Sequence, residues 1–594
     1  MIFLKSFAFL NFFFITIALL PHLGFKEKKN PAVVFLLNMV LYLFLLVVGY
    51  SCYKSGMNTI FVFIIPILLW CLYRNIGHLK VRFVIGKYEL VVLGKILLVV
   101  NSIFIVKCMY LYQGSGEYLK VPHGDYLFYA KVAVFLKDYG IESIHMSSLA
   151  MPTPYHYFEL WLSAFFAEFG MNVYATLMLI IYPIIYGFCC CLTYLLIKNN
   201  VNNKSAIIFA ASILTIQLFY ISQVYSEIPF LGDASIFAET AWNYQKLSVL
   251  YFMVLIALVV YRNFGINQFL IVLALFPIIY GSTIFSVAGV LCTSFLLKIS
   301  INKTINWSSI FVVFLGLLFF KFYYQFNHYQ NEIVPQIDLA FIKTAINIIG
   351  GTVIRIFIFV IPFILLFYVL NKQKTLTLLK VHSSMVVILS SAILASLLGW
   401  ALIHLQLDAV QIFSNLSPII FCVGLVYLLS LIDYKVSLLV LISLVLLNYN
   451  KYMPYQKISF LNEKEYLFKN RSRGAFIKNL VDYENVFTIN PSFSGPCMDA
   501  SIINSNLKMV DLSMVDIDIT NHPYKENIRS YIEYNDLYNF IQQTHLSGLA
   551  AKVEFIKENK IEFLICPKAY LLDAKISMLF KNKKELENSV VWYN

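Results

Sequence analysis

The stretch "VPHGDYLFYAKVAVFL", residues 121–136, places His123, Gly124 and Asp125 at the head of a helical stripe made by Leu127, Phe128, Val132, Phe135 and Leu136. A Gly-Asp pair in front of such a stripe starts a helix, because glycine lets the chain turn in and an acidic side chain complements the helix dipole. The residues on either side decide in which solvent that helix sits. They are apolar in long windows, and the whole chain of 594 residues is 60% hydrophobic and only 13% charged, with a mean hydropathy of +0.75. Such a composition describes a chain whose solvent is a bilayer.

A helix needs about 20 apolar residues to cross ~30 Å of hydrocarbon, and about fourteen windows of suitable composition occur before residue 450. They fall near 4–20, 32–50, 58–73, 91–110, 172–197, 205–223, 246–262, 266–280, 282–298, 306–322, 346–370, 382–404, 410–431 and 435–449. The basic connections "KEKK" (26–29), "RNIGHLKVR" (74–82), "KNNVNNK" (198–204), "YRN" (261–263), "KISINK" (298–303), "NKQK" (371–374) and "DYK" (433–435) all fall on one side of this count. The positive-inside rule makes that side cytoplasmic. Loops 111–171, 224–245, 323–345 and 405–409, and the tail from 450, are then expected outside. The fold class predicted is a polytopic α-helical membrane protein with a large first external loop, in the cytoplasmic membrane of a bacterium. Residues 1–449 form its membrane domain and residues 450–594 a small soluble α/β domain.

In the tail, "NVFTIN" and "IEFLICP" read as strands and "HLSGLAAKVEFIKENK" as a helix. The net charge of +13 is spread over short clusters between apolar runs, which excludes a nucleic-acid footprint. Ten cysteines show no metal-type spacing with histidines, and Cys497 and Cys566 in the tail are a candidate disulfide. No P-loop, zinc-type His pair or Gly-x-Ser-x-Gly elbow occurs. The small-residue string "GSTIFSVAG" (281–289) reads as a helix-packing face or a tight reversal.

The first external loop concentrates titratable groups: His123, Asp125, His145, His156 and Glu159. Its second apolar piece, "YHYFELWLSAFFAEF" (155–169), is too short to span and is expected to lie as an interfacial helix. The loop 224–245 brings Asp233 and Glu239 to the same side, and Lys246 follows it. Arg355 stands about nine residues inside an apolar span, on the order of 13 Å deep at ~1.5 Å per residue, where a cation is costly unless it faces protein or an anion. Each residue also has a plain reading. Asp125 serves as a cap, His156 and Glu159 as a surface pair, Arg355 as the partner of an acidic neighbour, Lys246 as an interface anchor, and Asp233 and Glu239 as solvated loop charges. The polar turn His404, Gln406 and Asp408 is a candidate lining for an acceptor path.

With an acidic residue in "HGDYLFYAKVAVFLKDYG", a following "PYHYFELWLSAFF" and a soluble tail, the chain resembles the integral-membrane glycosyltransferases of the GT-C superfamily. It departs from their pattern in carrying one acidic residue there instead of an adjacent pair, and more spans before the loop than the one that is common. The resemblance implies a polyprenyl-phosphate sugar donor, a glycan, lipid or protein acceptor, and Asp125 as the catalytic carboxylate. Such chemistry needs a base for the acceptor hydroxyl and positive charge, from side chains or from Mg or Mn, for the departing phosphate. Arg355 and Lys246 are the phosphate candidates; His123, His156 and Glu159 are substrate-binding candidates; Asp125 and Asp233 are candidate metal donors. The competing readings are a lipid-linked oligosaccharide flippase or transporter, a polysaccharide polymerase of another fold, and a noncatalytic scaffold.

Overall fold

The computed structural model describes residues 2–20, 22–25, 30–55, 79–82, 86–113, 118–121, 125–144, 155–213, 246–300, 304–326, 338–404, 409–431, 459–462, 473–476, 508–512, 536–568, 570–585 and 589–594. The expected spans 58–73 and 435–449, the loop 224–245, and the tail piece "NVFTIN" lie outside the described residues.

The chain enters through α1 (Ile2–Leu19), β1 (His22–Phe25), α2 (Pro31–Ser55), β2 (Leu79–Arg82) and α3 (Lys87–Leu111). The first loop holds β3 (Tyr112–Gln113), β4 (Tyr118–Val121), α4 (Asp125–Tyr139) and α5 (Phe158–Ala167). Then come α6 (Val173–Ile197), α7 (Asn203–Ser212), α8 (Leu247–Phe264), α9 (Ile266–Leu273), α10 (Phe276–Ile279), α11 (Ile284–Ser300) and α12 (Trp307–Phe326). The helical part closes with α13 (Leu339–Val381), α14 (Ser383–Leu402), α15 (Gln411–Ser414) and α16 (Ser417–Leu429). Among the described residues, eight helices are long and apolar enough to cross a membrane.

Two features of the helical part differ from expectation. The helix α13 has 43 residues, which at ~1.5 Å each is about twice the thickness of the hydrocarbon. Nothing in "NKQKTLTLLKV" (371–381) breaks a helix, so the expected connection at 371–374 stays helical and the chain turns at His382 instead. The piece 155–169 was expected at the interface, yet α5 is buried on every side except at Phe165, and α4 is nearly as enclosed. Glu142 explains part of this: its carboxylate accepts a 2.8 Å hydrogen bond from the Trp161 indole, tying the end of α4 to α5 inside the bundle.

Close crossings rely on small residues. A Cβ at Gly289 would stand 2.7 Å from the Ser391 carbonyl oxygen and 2.4 Å from the Ala395 Cβ, so α11 and α14 meet backbone to backbone. The "GSTIFSVAG" string thus supplies a packing face. It also supplies a reversal, since Tyr280 is extended (φ −144°, ψ 97°) between α10 and the Gly281–Thr283 turn that leads into α11.

The ends of the bundle differ chemically. At one end the Arg262 guanidinium bonds the Leu196 carbonyl, the Asn200 amide donates to Ser430 Oγ at 2.9 Å, and the Tyr261 hydroxyl meets His382 Nδ1 at 3.1 Å. Strands β1 and β2 pair antiparallel, joining the chain beside "KEKK" to the "RNIGHLKVR" connection.

The tail supplies β5 (Ser459–Asn462), β6 (Arg473–Phe476), β7 (Lys508–Asp511), α17 (Asp536–Thr544), α18 (Gly548–Glu558), β8 (Phe563–Pro567), β9 (Asn582–Glu585) and β10 (Ser589–Tyr593). One mixed sheet has the order β7-β6-β8-β10-β9, with β6 parallel to β7 and β8. Alternation along β8 separates its faces. Leu564 and Cys566 pack with Phe555 of α18, whereas Phe563 and Ile565 join the apolar cluster of the helical body. Cys566 is a buried free thiol, and its candidate partner Cys497 is outside the described residues. Strand β5 leaves this sheet and pairs with β4 of the first loop, Leu461 opposite Leu119.

Candidate functional site

At the bundle end away from Arg262, six elements bring polar side chains together. Asp125 is the first residue of α4, and one turn later Tyr129 returns on the same face, its hydroxyl 3.3 Å from Asp125 Oδ2. The segment leading into α5 carries His156, whose Nδ1 bonds Oε1 of Glu159 at the start of that helix. Both are inside the protein, His156 2% and Glu159 0% exposed, so the surface-pair reading does not hold.

Aromatic rings fix the imidazole. Tyr155 stacks on it with ring centroids 4.1 Å apart, Tyr280 stacks at 5.0 Å, and Tyr129 meets it edge-on at 4.9 Å. The reversal after α10 brings Tyr280 here, and the Gly281 N–H reaches the Tyr155 carbonyl at 3.5 Å. A further wall is α6, where Tyr182 lies against Tyr126 of α4 and feels the charge of Glu159.

Lys246, buried at the head of α8, donates to Gln411 Oε1 of α15 at 3.4 Å. Asn415 then links this corner to the reversal through a 3.1 Å bond to Ser282. Burial holds the His156 imidazole below its ordinary value of 6.5. The Glu159 carboxylate opposes that shift, the Lys246 cation reinforces it, and Asp125 opposes it more weakly. Glu159, Lys246 and Asp125 therefore all act electrostatically on His156.

The remaining predicted residues are placed as follows. His123 and Asp233, with His145, Glu239, Gln406 and Asp408, lie outside the described residues. Arg355 belongs to α13 by its backbone, and its side chain is outside the described ones; the adjacent Ile356 packs in a cluster with Phe413 of α15. His404 is turned onto Phe341, with ring centroids 4.6 Å apart. Of the candidate donors for Mg or Mn, Asp125 is described and Asp233 is not, and among the described residues no group of three His, Cys, Asp or Glu could hold a metal ion.

Sequence reading missed Tyr129, Tyr155, Tyr182, Tyr280 and Gln411. Tyr129 had a signal, its four-residue spacing from Asp125. Tyr155 adjoins His156 in the chain, whereas Tyr182, Tyr280 and Gln411 arrive through tertiary contacts that no local spacing announces. Below the cluster, a crevice of about 20 Å³ is lined by Val254, Phe276, Ser286, Leu389, Leu416 and Ile420. It has room for about one water and almost no polar lining.

Neither a protein-family model nor a curated protein matches this chain.

Proposed function

We propose that the chain is a membrane glycosyltransferase that moves a sugar from a polyprenyl-phosphate donor to an acceptor hydroxyl on the extracytoplasmic side. One observation carries the reading: a carboxylate, an imidazole and an ammonium group are buried together, with the half-buried Asp125 beside them, at the bundle end opposite the Arg262 end. Ionisable side chains inside an apolar helical body are costly and persist where they serve a ligand or a proton. The Arg262 end carries basic connections, which the positive-inside rule assigns to the cytoplasm, so the cluster faces the other side.

In this reading Asp125, steadied by Tyr129, accepts the proton of the acceptor hydroxyl. The acceptor oxygen bonds to the anomeric carbon, the bond from that carbon to the phosphate oxygen breaks, and the lipid phosphate departs carrying the electron pair. Lys246 supplies the cation that meets the departing phosphate, with Arg355 of α13 as a second candidate.

The test is transfer by purified protein from labelled polyprenyl-phosphate sugars. Asp125→Asn should slow transfer by about 100-fold or more, the ordinary contribution of a general base, while the variant still purifies as a monodisperse protein. Unimpaired transfer by that variant would remove Asp125 from the mechanism. Sugar crossing sealed vesicles with no new glycosidic bond would replace the reaction with transport.

A further inference from the structure

Three polar atoms in the cluster have no hydrogen-bond partner among the described residues: His156 Nε2, Glu159 Oε2 and the Tyr182 hydroxyl. All three side chains are buried, Tyr182 and Glu159 completely. A buried polar atom left unsatisfied is destabilising, so three in one neighbourhood point to something that fills their valences when the protein works.

Their chemistry selects the occupant. Nδ1 of His156 is committed to Glu159, so a neutral ring offers a lone pair at Nε2. Glu159 Oε2 also accepts, and the Tyr182 phenol both donates and accepts. Two acceptors and a phenol suit groups that donate hydrogen bonds, and a carboxylate repels phosphate. The stacked rings of Tyr155 and Tyr280 hold the imidazole in one orientation, so Nε2 is aimed before any ligand arrives. Lys246, on a different helix, is a donor at this end that suits an anion.

We propose that His156, Glu159 and Tyr182 form a subsite for the hydroxyl groups of the transferred sugar, separate from the place where Lys246 meets the phosphate. This rests on the glycosyltransfer reading and divides the donor between two sets of residues. Burial keeps His156 neutral near pH 7, which preserves the lone pair on Nε2.

The experiment measures binding to full-length protein in nanodiscs, with polyprenyl-phosphate glucose, mannose and arabinose beside bare polyprenyl phosphate. In His156→Asn the amide N–H takes the place of Nδ1–H, so the bond to Glu159 survives while Nε2 is deleted. The expected result is an about tenfold loss of affinity for the preferred sugar lipid, the size of one good hydrogen bond, with bare polyprenyl phosphate bound as by wild type. Tyr182→Phe, which removes only the hydroxyl, should show the same selectivity. Wild-type affinity of both variants for every sugar lipid would overturn the subsite, and so would an equal loss for sugar-bearing and bare lipid. Wild-type protein that transfers sugar yet binds no sugar lipid more tightly than the bare one would overturn it while leaving the glycosyltransfer reading intact. Protein that binds none of these lipids would overturn both.

Discussion

Glu159→Leu tests whether His156 is held by a buried pair. Both side chains are almost fully enclosed, so water cannot replace a lost partner. Leucine fills a similar volume but leaves the Nδ1 N–H facing a methyl group. A hydrogen bond to a charged group contributes about 1.5–3 kcal/mol, and orphaning its donor forfeits that contribution. The opposing effect is relief of the buried carboxylate's desolvation, which offsets part of the loss. The expected net destabilisation is about 2 kcal/mol. A double-mutant cycle isolates the pair. In Glu159→Leu with His156→Leu, both polar groups are gone and the aromatic walls close on apolar side chains, so the double variant should be no less stable than Glu159→Leu alone. Unfolding of purified protein by SDS titration, followed by circular dichroism, would give the coupling energy. A value within ~0.5 kcal/mol of zero, the ordinary error of additivity, would refute the buried pair.

The shift of His156 sets a pH dependence. An imidazole held below 6.5 when folded takes up its proton earlier in the unfolded chain, so this residue leaves stability intact above pH 6.5 and erodes it as the pH falls from there through the folded value. Thermal unfolding of wild type and His156→Asn between pH 8 and 5 should show the smaller acid loss in the variant; parallel curves would contradict this. Gly289→Ala should destabilise by about 1–3 kcal/mol, because the new methyl meets the Ser391 carbonyl and the Ala395 methyl across a helix crossing. Gly424→Ala, also within a helix but with nothing within 4 Å of its Cβ, should be neutral or stabilising by up to about 1 kcal/mol. The same unfolding assay compares them, and equal effects would mean that α11 and α14 are not in backbone contact.

Much of the helical architecture can be read from apolar windows because a bilayer demands about 20 apolar residues per crossing, and α1, α2, α3, α6, α8 and α14 each meet that length. Part of what could not be read has one cause. The sequence shows where polarity occurs, and in a soluble protein polar residues mark the surface. Inside a bilayer the rule reverses for paired polar groups, because lipid cannot hydrogen-bond them and other helices can. "YHYFELWLSAFFAEF" therefore looked interfacial on account of His156, Glu159 and Glu168. Only Glu168 is partly exposed, where it meets Lys54, while His156 and Glu159 turn inward. Asp125 and Tyr129 were legible as a pair because helical spacing puts them on one face. Tyr280 was not, because its position depends on an extended residue between two short helical pieces.

The pairing of β4 with β5 constrains topology independently of any charge count. Hydrogen-bonded strands run about 4.8 Å apart, and the hydrocarbon is ~30 Å thick. Residues 118–121 and 459–462 must therefore share one side of the membrane, whichever side that is. Strand β4 ends at Val121 and α4 begins at Asp125, so the segment holding the candidate carboxylate is anchored by a strand contributed from the tail. The β3–β4 ladder has only two residue pairs, too short to be stable alone, and β5 adds four more along the other edge of β4. Asp125 is thus positioned from both directions, by Tyr129 within its own helix and by a sheet that is complete only when the C-terminal part of the chain has folded against the first loop.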